Sequence, residues 1–123
     1  MKKVTIILLL ICFLFVIEFV INTSGFLKIE RDIIKYEGRI YSNISQLDWF
    51  EKEKNKYQKG ERIGEIKRIS KSYLSLWNFS ASKLPKGTVL YSTVNTKEGI
   101  KPIIILAETE NDGILYYRWL PKE

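Results

Sequence analysis

Histidine is absent from this chain, and cysteine occurs once, at Cys12 inside an apolar run. Without imidazole, the commonest general base and the commonest metal ligand are both missing. A lone thiol in an apolar segment reads as a small hydrophobic filler. No second cysteine exists to close a disulfide, so the remainder must hold together by packing, unlike many small secreted domains. Internal repeats and low-complexity stretches are lacking too, which argues against a solenoid or a compositionally biased linker.

What the chain does contain is a long apolar run. Val4 to Ile21 follows Lys2-Lys3 and is interrupted only by Thr5, Cys12 and Glu18. In helical form it spans about 27 Å, against about 30 Å for a bilayer's hydrocarbon core. The expectation is a single crossing through Val4, Leu9, Cys12, Phe15 and Ile21, with the two lysines inside and everything from about Thr23 outside. Glu18 falls within a turn of the outer end, where its cost is low. The competing reading is a cleaved signal peptide with Thr23-Ser24-Gly25 as a poor cleavage site. A lipid-modified Cys12 is disfavoured by bulky Ile11 before it and apolar Phe13 to Ile17 after it. Residues 1–25 are thus assigned to a cytoplasmic tip and anchor or signal peptide, and 26–123 to one small strand-rich domain. This places the protein at the cell membrane with its C-terminal domain outside, or secreted if the leader is removed.

Omitting Lys2, Lys3 and Glu18 leaves 18 basic against 13 acidic residues. The balance is uneven: Glu51 to Lys71 holds eight Lys/Arg and four Glu, whereas Glu98 to Glu123 holds three Lys/Arg and five acids. The basic stretch, with Trp49, Lys52, Lys56, Arg62, Lys67 and Arg68, is a candidate binding surface for a lipid bilayer's anionic headgroups or an anionic cell-wall polymer. A solvated face of mixed charge is the plainer alternative. Nucleic acid is not expected, because export removes it and no nucleic-acid motif appears.

The element pattern predicts a mainly β domain. Asp32–Tyr36 and Arg39–Ser42 flank Glu37-Gly38 as a hairpin, with Tyr36 opposite Arg39 and Ile34 opposite Tyr41. Ser45 as cap and Gly60 as stop predict the domain's one helix over about Gln46–Gln58. Ile63, Ile66 and Ile69 suggest a strand with a bulge at Gly64. Tyr73–Phe79 reads as a strand with Tyr73, Trp77 and Phe79 on one face. Leu84–Gly87 is a turn, Thr88–Val94 and Pro102–Ala107 are strands around an Asn95–Gly99 loop, and Asn111-Asp112-Gly113 turns into a strand over Ile114–Trp119. Ile103 to Leu106, apolar on both faces, belongs in the middle of a sheet. Five to seven strands and one short helix suit a small antiparallel sheet or partly open barrel behind the transmembrane helix.

Motifs with chemical meaning are shallow. Ser80-Ala81-Ser82-Lys83 matches S-x-x-K, but the companion motifs are missing and the domain is too small for that fold. Glu108, Glu110 and Asp112-Gly113 imitate the start of an EF-hand loop whose twelfth position is Trp119, so an acidic hairpin loop is expected. Asp48, Glu65, Glu108 and Glu110 are the carboxylates available for glycoside hydrolysis. Trp49, Phe50, Trp77, Tyr91, Tyr116, Tyr117 and Trp119 are mostly core candidates, with Tyr116 and Tyr117 on opposite strand faces. Three Asn-x-Ser triplets, at Asn22, Asn43 and Asn78, read as chance in a bacterial composition.

The segments Tyr36-Glu37-Gly38-Arg39-Ile40-Tyr41, Ile63-Gly64-Glu65-Ile66 and Leu84-Pro85-Lys86-Gly87-Thr88-Val89-Leu90-Tyr91 resemble small exported domains of unknown function from low-GC Gram-positive bacteria. That resemblance implies a compact strand-rich fold and transfers no catalytic residue. The expected function is a binding or structural module of the envelope, with no cofactor, metal or chemistry of its own. Its partner would be an envelope protein or polymer. An accessory subunit of a membrane complex and a small carboxylate-based hydrolase of cell-wall glycan are the alternatives.

Overall fold

The computed structural model describes residues 2–96 and 99–121, with the side chains of residues 17–26 outside that description. Helix α1 (Lys2–Phe26) is followed by β1 (Ile33–Tyr36), β2 (Arg39–Asn43), the single turn α2 (Asp48–Glu51), β3 (Arg62–Glu65), β4 (Arg68–Ile69), β5 (Ser80–Ala81), β6 (Val89–Ser92), β7 (Ile104–Glu108) and β8 (Ile114–Trp119). The strands form one curled half-barrel sheet in the order β3-β6-β7-β8-β2-β1-β5-β4.

Two expectations about the N-terminus are corrected. Among the described residues no helix is long and apolar enough to cross a membrane. The transmembrane helix, and with it the single-pass location with the domain outside, is therefore not supported. Val4, Leu9 and Phe15 are exposed on α1 and Cys12 is an exposed free thiol, whereas the side chains of Glu18 and Ile21 lie outside the described residues.

The hairpin forms in the expected register, with Tyr36 opposite Arg39 and Ile34 opposite Tyr41. Glu37 and Gly38 both take positive φ, 48° and 78°, the two-residue turn whose twist matches the flanking strands. The strand over Ile114–Trp119 and the bulge between Arg62 and Gly64 are likewise present.

Sheet order explains the curl. Its two terminal strands, β3 and β4, are separated in sequence only by Ile66-Lys67, so the two ends of the sheet are halves of one segment. The Ile66 amide still donates to Thr88 beside β6, whereas the next amide, on Lys67, donates to Phe79 beside β5, both at 2.8 Å. Phe79, at φ 64°, spans this seam: its ring occupies the space a Cβ on Gly64 would need. Only glycine fits there, and φ 151° reinforces the requirement.

Ile34, Tyr41, Leu90, Ile105 and Tyr117 fill the concave side. The buried phenols keep polar partners, Tyr41 donating to the Pro102 carbonyl at 2.6 Å and Tyr117 to Asp32 Oδ1 at 2.9 Å. On the convex side Ile104 and Leu106 of β7 pack with Phe50 of α2, so β7 is covered on both faces. A third cluster joins Ile29, Ile33 and Leu76.

Three element predictions fail for local reasons. The helix over Gln46–Gln58 is reduced to α2 and a 3-10 turn at Lys54–Lys56. Ser45 is not its cap, because its hydroxyl accepts the Tyr116 amide at 2.7 Å. The strand over Tyr73–Phe79 is instead a 3-10 turn at Tyr73–Ser75 followed by irregular chain, started by the Ser72 hydroxyl accepting the Leu74 amide. The sheet has eight strands rather than five to seven, and β4 pairs with β5 in parallel.

Candidate functional site

The region where structure departs furthest from the expected strand is also where apolar side chains face solvent. Between Ile66 and Lys83 there is no acidic residue, and Lys67, Arg68, Lys71 and Lys83 are all basic. Ile69 is 52% exposed, Trp77 58% and Leu74 72%, the highest value for a large apolar side chain among the described residues, and Tyr73 is exposed beside them. Arg68 lies over the Trp77 ring, its guanidinium carbon 4.3 Å from the centroid, and the Lys67 ammonium stands 5.3 Å from the Phe79 ring. Cation–π stacking of this kind holds a guanidinium flat on an aromatic face while leaving its N–H edge open to a ligand.

Serine hydroxyls fix this face. Ser70 and Ser75 share a hydrogen bond of 2.6 Å. The buried Ser80 hydroxyl accepts the Trp77 amide at 3.2 Å. Ser82 accepts the Ile33 amide at 2.9 Å and donates to the Arg31 carbonyl at 2.6 Å. Lys71 is committed to the scaffold through its hydrogen bond to the Ser82 carbonyl, and Lys83 lines a separate cleft with Glu110 and Asp112, which leaves Lys67 and Arg68 as the cations beside the aromatic rings of the strip.

The six residues expected to form one binding surface are divided by the fold. Trp49, Lys52 and Lys56 belong to α2 and the turn after it, anchored by Phe50 and Tyr57 over β6 to β8. Lys56 pairs with Glu53 at 2.8 Å, and that hydrogen bond raises its pKa. Trp49 has the Arg118 guanidinium 5.7 Å from its ring. Arg62 stands on β3, 3.8 Å from Glu65 and in register with Tyr91. Arg68 stands over the exposed Trp77, and Lys67, next to it in sequence, beside the half-buried Phe79. Sequence reasoning missed Ile69 and Leu74 and placed Tyr73 and Trp77 on a strand face. The available signal was the serine density from Ser70 to Ser82, since hydroxyls that bond nearby amides compete with strand ladders.

Other candidates do not assemble. Ser80 is buried within β5, and Lys83 is an exposed residue of an open cleft of about 810 Å³ also lined by Thr88, Glu110, Asp112 and Leu115. Glu108 to Gly113 form the expected β7–β8 hairpin loop, in which Thr109 donates to the Gly113 carbonyl at 2.6 Å. Glu108 pairs with Lys59 at 2.6 Å, and its hydrogen bond raises the Lys59 pKa. Asp48, Glu65 and the Glu108–Glu110 region sit on three separate elements. Among the described residues no group of three or more acidic or thiol side chains is placed to hold a metal ion. Compared with known proteins, the chain matches no family model, no curated protein and no solved structure.

Proposed function

We propose that the chain is a binding module without chemistry of its own, and that the face from Lys67 to Trp77 takes a partner bearing phosphate or similar anionic groups. The observation that carries this reading is Arg68 stacked on an exposed Trp77 inside an 18-residue stretch, 66–83, free of acids. A stacked guanidinium loses little side-chain freedom on meeting a bidentate anion, so its hydrogen bonds to phosphate are pre-organised. The cations of the α2 side support it less, because Lys54 and Lys56 are already paired with Glu51 and Glu53.

The test is titration of the full chain in mild detergent with inorganic polyphosphate at low salt. At about 1 kcal/mol per surface cation near an anionic array, reversing two charges in K67E/R68E is expected to weaken binding by about tenfold or more. The K52E variant is expected to leave it nearly unchanged. Equal losses in the two variants, or no binding by the wild type, would overturn the reading.

A further inference from the structure

Resting on that binding reading, we infer that the anionic partner is a lipid surface, with Leu74, Trp77, Tyr73 and Ile69 entering the zone between headgroups and acyl chains while Lys67 and Arg68 sit at phosphate level. A soluble polyanion has no use for four large apolar side chains held in water. An anionic lipid interface accepts both kinds of group at once, since Trp and Tyr partition to headgroup depth, aliphatic chains go slightly deeper and basic residues contact phosphate.

Along the turn that carries Tyr73, Leu74 and Trp77, backbone bonding favours this occupant over an added protein strand. Five consecutive amides are already satisfied inside the protein. Tyr73 donates to the Leu27 carbonyl at 3.0 Å, Leu74 to the Ser72 hydroxyl at 3.2 Å and Ser75 to the Ser72 carbonyl at 3.2 Å. Leu76 donates to the Tyr73 carbonyl at 3.4 Å and Trp77 to the Ser80 hydroxyl at 3.2 Å. A turn with no free N–H along its rim cannot template a strand by β-augmentation, which needs unpaired donors. The same satisfaction lets it enter a water-poor layer without the penalty of bare backbone groups.

The side chains divide accordingly. Leu76 points inward to Ile29 and Ile33, while Leu74 and Trp77 on either side of it point out. Their exposure is thus set by a turn that is pinned from beneath and held at both ends. The Lys28–Ser72 bridge and the Ile29 amide bonded to Lys71 at 2.9 Å tie it to the start of the domain. The contact is interfacial and requires no segment of the chain to cross the bilayer.

The experiment is depth-dependent quenching of Trp77 by brominated lipids. The full chain is mixed from detergent into phosphatidylcholine vesicles with and without phosphatidylglycerol, using W49F/W119F so that Trp77 alone reports. The wild type minus W77F difference supplies the same signal should the double variant fail to fold. Trp77 is expected to be quenched by bromines near the headgroup end of the acyl chains, more strongly with phosphatidylglycerol, and Trp49 in a W77F/W119F chain is not. L74S, which removes the apolar side chain without adding charge, is expected to lose the quenching, with polyphosphate affinity, set by Lys67 and Arg68, changing little. Absence of Trp77 quenching, or quenching that L74S leaves intact, overturns the lipid assignment. Retained polyphosphate binding in that case leaves the binding-module reading standing, and loss of both measurements removes the two together.

Discussion

Two regions of this protein satisfy their backbones in opposite ways. Across β6, β7, β8 and β2 the amides pair strand to strand in continuous antiparallel register, and side chains on both faces of β7 are buried. From Ser70 to Ser82 the only strand is the two-residue β5, and much of the bonding passes through Ser70, Ser72, Ser80 and Ser82. The first arrangement spends its apolar residues on a core. The second releases them, because a side-chain hydroxyl that replaces a strand partner removes the requirement that neighbouring residues face a sheet. Order without burial is what distinguishes a binding face from a frayed loop.

The comparison can be broken most severely in the regular half. Ile105→Ala, within the concave core, is expected to cost about 2–5 kcal/mol through lost burial and the cavity left behind, read as a shifted midpoint in urea unfolding. A midpoint unchanged from wild type would mean that this face is not the main core.

The same half should set the alkaline limit of stability. Burial pushes the Tyr41 and Tyr117 phenols above their usual 10.0, Tyr117 also through the Asp32 carboxylate beside it. Unfolded phenols ionise near that value while folded ones keep their protons, so stability is fully present below pH about 10 and falls as pH rises further. Tyr117→Phe removes one such group, and its stability is expected to decline less steeply with pH in alkaline unfolding curves. An unchanged slope would count against Tyr117 as a buried phenol.

In the irregular half, Ser82→Ala strips the Ile33 amide and the Arg31 carbonyl of their partner, at an expected cost of about 1–3 kcal/mol. A loss within experimental error would show that the serines decorate the segment without holding it. The smallest effect belongs to Leu74→Ser, expected to change stability by less than about 0.5 kcal/mol because the residue contributes little to the core. A loss comparable to that of Ile105→Ala would place Leu74 inside the protein in solution and end its role as a binding group.

Legibility followed the same division. Alternation and turn chemistry foretold the register of the β1–β2 hairpin, the β8 strand and the bulge at Gly64, all of which depend on residues close in sequence or on φ values that few side chains tolerate. The Gln46–Gln58 helix was misread because its expected cap found a partner that local pattern does not contain: Ser45 bonds Tyr116, 71 positions away. The Tyr73–Phe79 strand was misread because Ser72 and Ser80 accept the nearby Leu74 and Trp77 amides in place of a strand ladder. The binding candidates fared in parallel. Basic character was visible at Lys67 and Arg68, but a charge count cannot separate cations paired to acids, such as Lys56, from cations stacked on exposed rings.

Sequence alone determined that this chain carries no histidine and no second cysteine to pair with Cys12, that its strands alternate around Gly-bearing turns, and that one stretch of 18 residues, 66–83, carries no acid. Those are properties of residue identity and of near neighbours. Tertiary structure alone decided that β3 and β4 lie at the two ends of one curled sheet, that Phe79 fills the space above Gly64, and that Leu74 and Trp77 face outward while Leu76 faces in. The reason is that each depends on which group satisfies a given amide or covers a given side chain, and a hydroxyl, a carbonyl or a strand edge meets an amide's need equally well until the fold brings one of them within reach.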